Sequence, residues 1–68
     1  MLVKIEGTGG PAWIDHTTIL GILPTTNPLI KHIFTSIPAA RGSLILETKE
    51  DMDTVAAAIN KAKASMSL

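Results

Sequence analysis

The chain reads as an α+β domain: a small antiparallel β-meander of three or four strands followed by one C-terminal α-helix. Three observations lead there. Short apolar segments rich in Val, Ile and Leu recur along residues 2–47, separated by turns that carry Gly and Pro, which is how half-buried strands are written. The last segment changes period. Met52, Val55, Ile59, Ala62 and Met66 recur every three or four residues, so they share one face of a helix. Finally, 68 residues with 46% hydrophobic content leave room for one domain only.

The first strand spans about 2–6. Val3 and Ile5 lie on one parity, and Leu2, Lys4 and Glu6 on the other, so one face is mainly wet. Gly7-Thr8-Gly9-Gly10-Pro11 is a turn that needs unusual dihedrals. A second strand is expected over about 12–23. Asp15-His16-Thr17-Thr18 interrupts it with a local side-chain-to-backbone turn, and Pro24 ends it or holds it at an edge. Residues 29–37 fit two descriptions. Leu29, Ile30, Ile33, Phe34 and Ile37 form a helical stripe, with Asn27 as N-cap and Pro28 at the first helical position. The same stretch is rich in residue types that favour strands. Pro38-Ala39-Ala40-Arg41-Gly42 is a turn, and a compact strand follows over about 43–47. The helix is expected over about 49–65. Thr48 is its N-cap, and Asp51 three residues on makes a capping-box-like pair. Glu50, Asp51 and Asp53 open it while Lys61 and Lys63 sit near its end, which complements the helix dipole. Ala56-Ala57-Ala58 keeps it slender.

The order of parts, with Lys4-Ile5, Ile14-Asp15, Ile19-x-x-Ile22, Pro24, Gly42, Ile45-x-Glu47 and Val55 to Ile59, resembles the FlbD-type flagellar and swarming-motility proteins. That resemblance covers most of the chain. It implies a strand over about 30–37 and, as a functional expectation, a motility-associated role. The chain departs from the family pattern in two places. The segment from Pro24 to Pro38 is long for a hairpin, and residues 38–42 replace the usual Asn-Gly-type turn. The strand-then-helix order also invites comparison with the carbon storage regulator, an RNA-binding dimer, whose basic strand-edge residues have no match here.

Six cationic and six anionic side chains give a formal net charge of zero. That argues against nucleic acid as a partner, because phosphate binding needs a clustered positive field. The absence of cysteine excludes thiolate chemistry and disulfides. Lys4 and Glu6 break the first apolar run, which is therefore not a signal peptide, and no apolar run is long enough to span a bilayer. The expectation is a cytoplasmic protein without membrane contact. Gly7-Thr8-Gly9-Gly10 leads into a strand and carries no Lys-Ser/Thr pair, so it reads as a hairpin turn and not a phosphate loop. Asp15, His16 and His32 are too few and too far apart for a zinc site. No catalytic set, metal or cofactor is expected.

What remains is surplus apolar surface in a domain too small to hide it. Chains of this size usually add a staple or a partner. A homo-oligomer is expected, with Ile33, Phe34, Met52, Val55 and Ile59 as candidate interface residues. Trp13, the only tryptophan, suits an anchor for a partner or ligand ring. Arg41, the only arginine, suits anion recognition from a hairpin tip. His16, Thr25 and Asn27 complete the candidate ligand- or partner-binding set. The leading expectation is a small non-enzymatic binding or regulatory protein. A phage-type inhibitor, blocking a host protein or holding a small ligand between subunits, fits that description. An enzyme whose site joins His16 and Arg41 of different subunits is the alternative from another class.

Overall fold

A computed structural model describes residues 1–66 of the chain, and the side chains of residues 1–65. The predicted place of the Met66 side chain in the helical stripe lies outside the described residues. Five strands form: β1 (Leu2–Gly7), β2 (Gly10–Asp15), β3 (Ile19–Pro24), β4 (Lys31–Ala39) and β5 (Gly42–Thr48). One helix, α1 (Met52–Met66), follows them. The sheet is antiparallel throughout, with spatial order β2-β1-β5-β4-β3. The α+β architecture with a C-terminal helix is as expected, but the strand count is five.

The difference lies in residues 12–23. They make two strands at opposite edges of the sheet instead of one. Asp15 is the hinge. Its carboxylate accepts a hydrogen bond from the Thr17 backbone N–H at 3.1 Å, and the Thr18 hydroxyl donates to its carbonyl at 2.6 Å. This closes a 3-10 turn over His16–Thr18 that carries the chain from one edge to the other. The molecule is therefore a hairpin (β1–β2) joined to a three-stranded meander (β3–β4–β5), and not a single meander.

Residues 31–39 are strand. The Asn27 side chain makes the bond an N-cap would make, accepting the Leu29 N–H at 3.0 Å, but only a turn follows it, and the Thr25 hydroxyl donates to the Ile30 carbonyl at 2.9 Å. These bonds close the loop on itself and return the chain to β3. The β4 ladder slips between Phe34 and Pro38. Thr35, buried there, donates its hydroxyl to the Leu44 carbonyl at 2.7 Å and accepts the Ile37 N–H at 3.3 Å. The side chain thus replaces ladder bonds lost at the bulge. At the β4–β5 turn no non-glycine residue has positive φ, and Gly42 takes φ +88°. A type I′ turn is thereby excluded, and the positive-φ duty falls on glycine.

The helix starts later than Thr48. Asp51 caps it, accepting the Asp53 N–H at 3.1 Å. Thr48 is instead the last residue of β5 and is wholly buried. Its hydroxyl donates to the Glu6 carbonyl at 2.8 Å and accepts the Glu50 N–H at 3.0 Å. A threonine in the right place for a cap was drawn into a strand because β1 needed a partner for its carbonyl.

The core lies between the sheet and α1. Val3, Ile5, Ile14, Ile33, Val55 and Ala62 are buried in it, and Ile19, Ile22, Ile37, Leu46, Ala58 and Ile59 pack around them. Ile33 (0% exposed) and Val55 (1% exposed) are central. Both were expected at an oligomer interface. They face inward because their parity on β4 and their phase on α1 place them between the two layers, so a partner cannot reach them.

Candidate binding surfaces

The helix covers one face of the sheet only. On the opposite, outer face the β3–β4–β5 meander carries two cross-strand rows. Gly21, Phe34 and Ile45 are partners in one, and Leu23, His32 and Glu47 in the other. Phe34 lies beside a glycine, so its ring is only half-buried. Leu23 is 55% exposed and Ile45 49%. The His32 ring meets Phe34 edge-on, with centroids 6.2 Å apart, and its Nε2 lies 3.5 Å from Glu47 Oε1. The result is an apolar centre of Leu23, Phe34 and Ile45 with one polar pair at its rim.

The outer face of the hairpin is separate. Leu2 and Trp13 are exposed there, Trp13 by 60%. Lys4 and Trp13 are cross-strand partners, and the Lys4 ammonium sits 6.0 Å from the ring centroid while pairing with Glu6 at 3.1 Å. Such an exposed cation–π contact is worth about 0.5–1 kcal/mol. The predicted anchor residue is thus at the surface, with most of its side chain open to solvent.

Two grooves flank α1. One, of about 400 Å³, runs between Met52, Ala56 and Ile59 of the helix and Ile19, Leu20 and Ile22 of β3. The other, of about 350 Å³, runs between Ala58, Lys61 and Ala62 of the helix and residues 1–4. The slender helix produces both: a bulkier residue at 56, 58 or 62 would fill them.

The other predicted site residues are dispersed. His16 is half-buried at the start of the 3-10 turn. Its N–H donates to the Met1 carbonyl at 3.0 Å, and its Nδ1 lies 3.2 Å from the same oxygen. Nδ1 is also 3.5 Å from Asp15 Oδ1. The Asp15 carboxyl is held below the ordinary carboxylate value, first by the Thr17 backbone N–H and then by the Thr17 hydroxyl. Thr25 and Asn27 spend their polar groups on their own loop. Arg41 is exposed at the β4–β5 tip. No contact among the described residues brings Trp13, His16 and Arg41 together within one protomer. Of the expected interface residues, Phe34, Met52 and Ile59 remain reachable. Among the described residues there is no group of three or more potential metal ligands and no helix long and apolar enough to cross a membrane.

Sequence reasoning passed over Leu23 and Ile45. The signal was present in the alternation of β5, where Leu44 and Leu46 share a parity and Ile45 takes the other, making both faces apolar. Compared with family models, with curated proteins and with solved structures, the chain matches none. The FlbD-type resemblance therefore rests on residue spacing alone.

Proposed function

We propose that the protein is a non-enzymatic binding module that works as a homo-oligomer, its copies meeting through the outer face of the β3–β4–β5 meander. One observation carries this reading. Leu23, Phe34 and Ile45 form an apolar centre on three adjacent strands, on the face that α1 leaves uncovered. A specific interface buries about 800 Å² on each partner, about a sixth of the 4661 Å² this protomer exposes. With formal charge zero there is little long-range repulsion between copies. The reading extends to an inhibitor of the phage type that blocks a host protein or holds a small ligand between copies.

The test is solution mass by light scattering, combined with native mass spectrometry to report copy number and any retained ligand. The wild type is expected to run as a dimer or larger at micromolar concentration. Ile45→Glu places a charge at the centre of the face without touching the core, and is expected to give a folded monomer. A monomeric wild type overturns the proposal, and so does an oligomer that Ile45→Glu leaves intact.

A further inference from the structure

His32 sits where the apolar centre of the outer face meets its charged rim. Register places it between Leu23 on β3 and Glu47 on β5. The half-buried ring stands edge-on to Phe34, and its Nε2 lies 3.5 Å from Glu47 Oε1. The surroundings from each neighbouring element are simple. β3 presents Leu23 and Gly21, neither of them charged. On β4 itself, Lys31 has the opposite parity, and its ammonium donates to the Lys49 carbonyl at 3.5 Å. On β5 the facing charge is Glu47, whose Oε2 accepts the Thr8 hydroxyl at 3.5 Å. Beyond β5, Glu6 of β1 is paired with Lys4 at 3.1 Å, and Glu50 accepts the Glu6 N–H. α1 packs on the other side of the sheet.

Histidine is the side-chain type that ordinarily changes charge between about pH 5 and 8. While the ring is neutral, the pair is a lone carboxylate beside an uncharged imidazole. Bringing two copies together through this face takes water from both carboxylates and sets like charges around one interface, and both effects oppose association. Once the ring is protonated, each pair is neutral as a unit. Its charge-assisted bond also strengthens as water leaves. We propose that His32 makes the oligomer sensitive to pH: copies associate through the outer face more tightly when His32 is protonated against Glu47 than when it is neutral. This rests on the reading of that face as the oligomer interface, and it assigns that interface its regulation. The sign follows from linkage. The associated form holds the His32 proton more firmly than the free protomer, so association strengthens as pH falls through the histidine range.

The test is the dissociation constant of the oligomer by sedimentation equilibrium at about pH 6 and about pH 8, at one ionic strength. The wild type is expected to associate about tenfold more tightly at the lower pH, two partly exposed pairs contributing to each dimer. His32→Gln stays neutral and is expected to show the weaker constant at both pH values. Glu47→Gln is expected to reverse the sign, because protonation then leaves a lone cation at the rim and association weakens as pH falls. A merely structural role for either side chain does not produce that reversal. Neither residue belongs to the core, so both variants should keep the fold, checked by circular dichroism. Equal constants at the two pH values overturn the proposal, as does tighter association at the higher one. A pH dependence that survives in His32→Gln, or a Glu47→Gln variant with the wild-type sign, also overturns it. A wild type that is monomeric at both pH values sinks the oligomer reading and this inference together. An oligomer that Ile45→Glu dissociates but pH leaves unchanged sinks this inference alone.

Discussion

The hairpin and the meander are built from the same kind of strand but held in different ways. Within the meander, β4 pairs along most of its length with both β3 and β5. The hairpin joins that unit at one register pair, Gly7↔Thr48, plus the Thr8 N–H to the Glu47 carbonyl at 3.0 Å. Side chains do the rest: Thr48 and Glu50 reach the Glu6 backbone, and Val3, Ile5 and Ile14 pack beneath α1. A Cβ on Gly7 would stand 2.9 Å from the Gly10 carbonyl oxygen, so this close passage admits only glycine without a backbone shift. The lesson is that a sheet can be continuous in strand order while its cohesion is concentrated on one side. The hairpin should therefore open at lower free energy than the meander.

The largest effect should come from the shared core. Ile33→Ala empties a wholly buried site in the central strand and is expected to cost about 2–5 kcal/mol. Urea unfolding should show the loss with both halves melting together; a loss confined to the meander would mean the halves fold independently. Thr48→Val sharpens the contrast. It keeps the shape but leaves the Glu6 carbonyl and the Glu50 N–H without their buried partner, at about 1–3 kcal/mol. Hydrogen exchange should then quicken at Val3 and Ile5 more than at Ile33. Equal quickening in both halves would refute the weak junction.

The smallest effect concerns Asp15, exposed at the hinge between the halves. Its pKa is lowered by folding from the ordinary 3.8, so the folded state prefers the charged form. Its contribution is complete above that ordinary value and is lost as pH falls through the lower folded one. Asp15→Asn should flatten the acid limb of stability, read as the urea midpoint between neutral pH and about pH 3. An unchanged acid limb would show that the Thr17 bonds do not depend on charge.

Much of the local structure was legible in the chain. The chain reverses within the expected stretches 7–11 and 38–42, though only Thr8-Gly9 and Ala40-Arg41 are turn and Pro11 and Pro38 are paired in strands, and the stripe from Met52 to Ala62 makes the helix. Trp13 and Arg41 lie at the surface, where their chemistry is available. Less legible were the two threonines that became core. A hydroxyl reads as a surface or capping group until the backbone atom it will satisfy is known, and for Thr48 that atom lies 42 residues away in sequence, on Glu6.

Alternation of side chains, glycine and proline punctuation and helical period are properties of neighbouring residues, so the amino-acid order alone determined where most of the chain extends, turns and coils; residues 29–37, which fit helix and strand alike, and the start of the helix after Thr48 were decided by the sheet. Which strand lies beside which was decided only in three dimensions. Residues 12–23 split because β2 closes on β1 while β3 finds β4, and the same arrangement gives β1 and β5 a single register pair, Gly7↔Thr48. Strand pairing depends on backbone groups that every residue but proline shares. Its partners are therefore chosen by the packing of Ile5, Ile33 and Val55 into one core, a long-range outcome that no local pattern encodes.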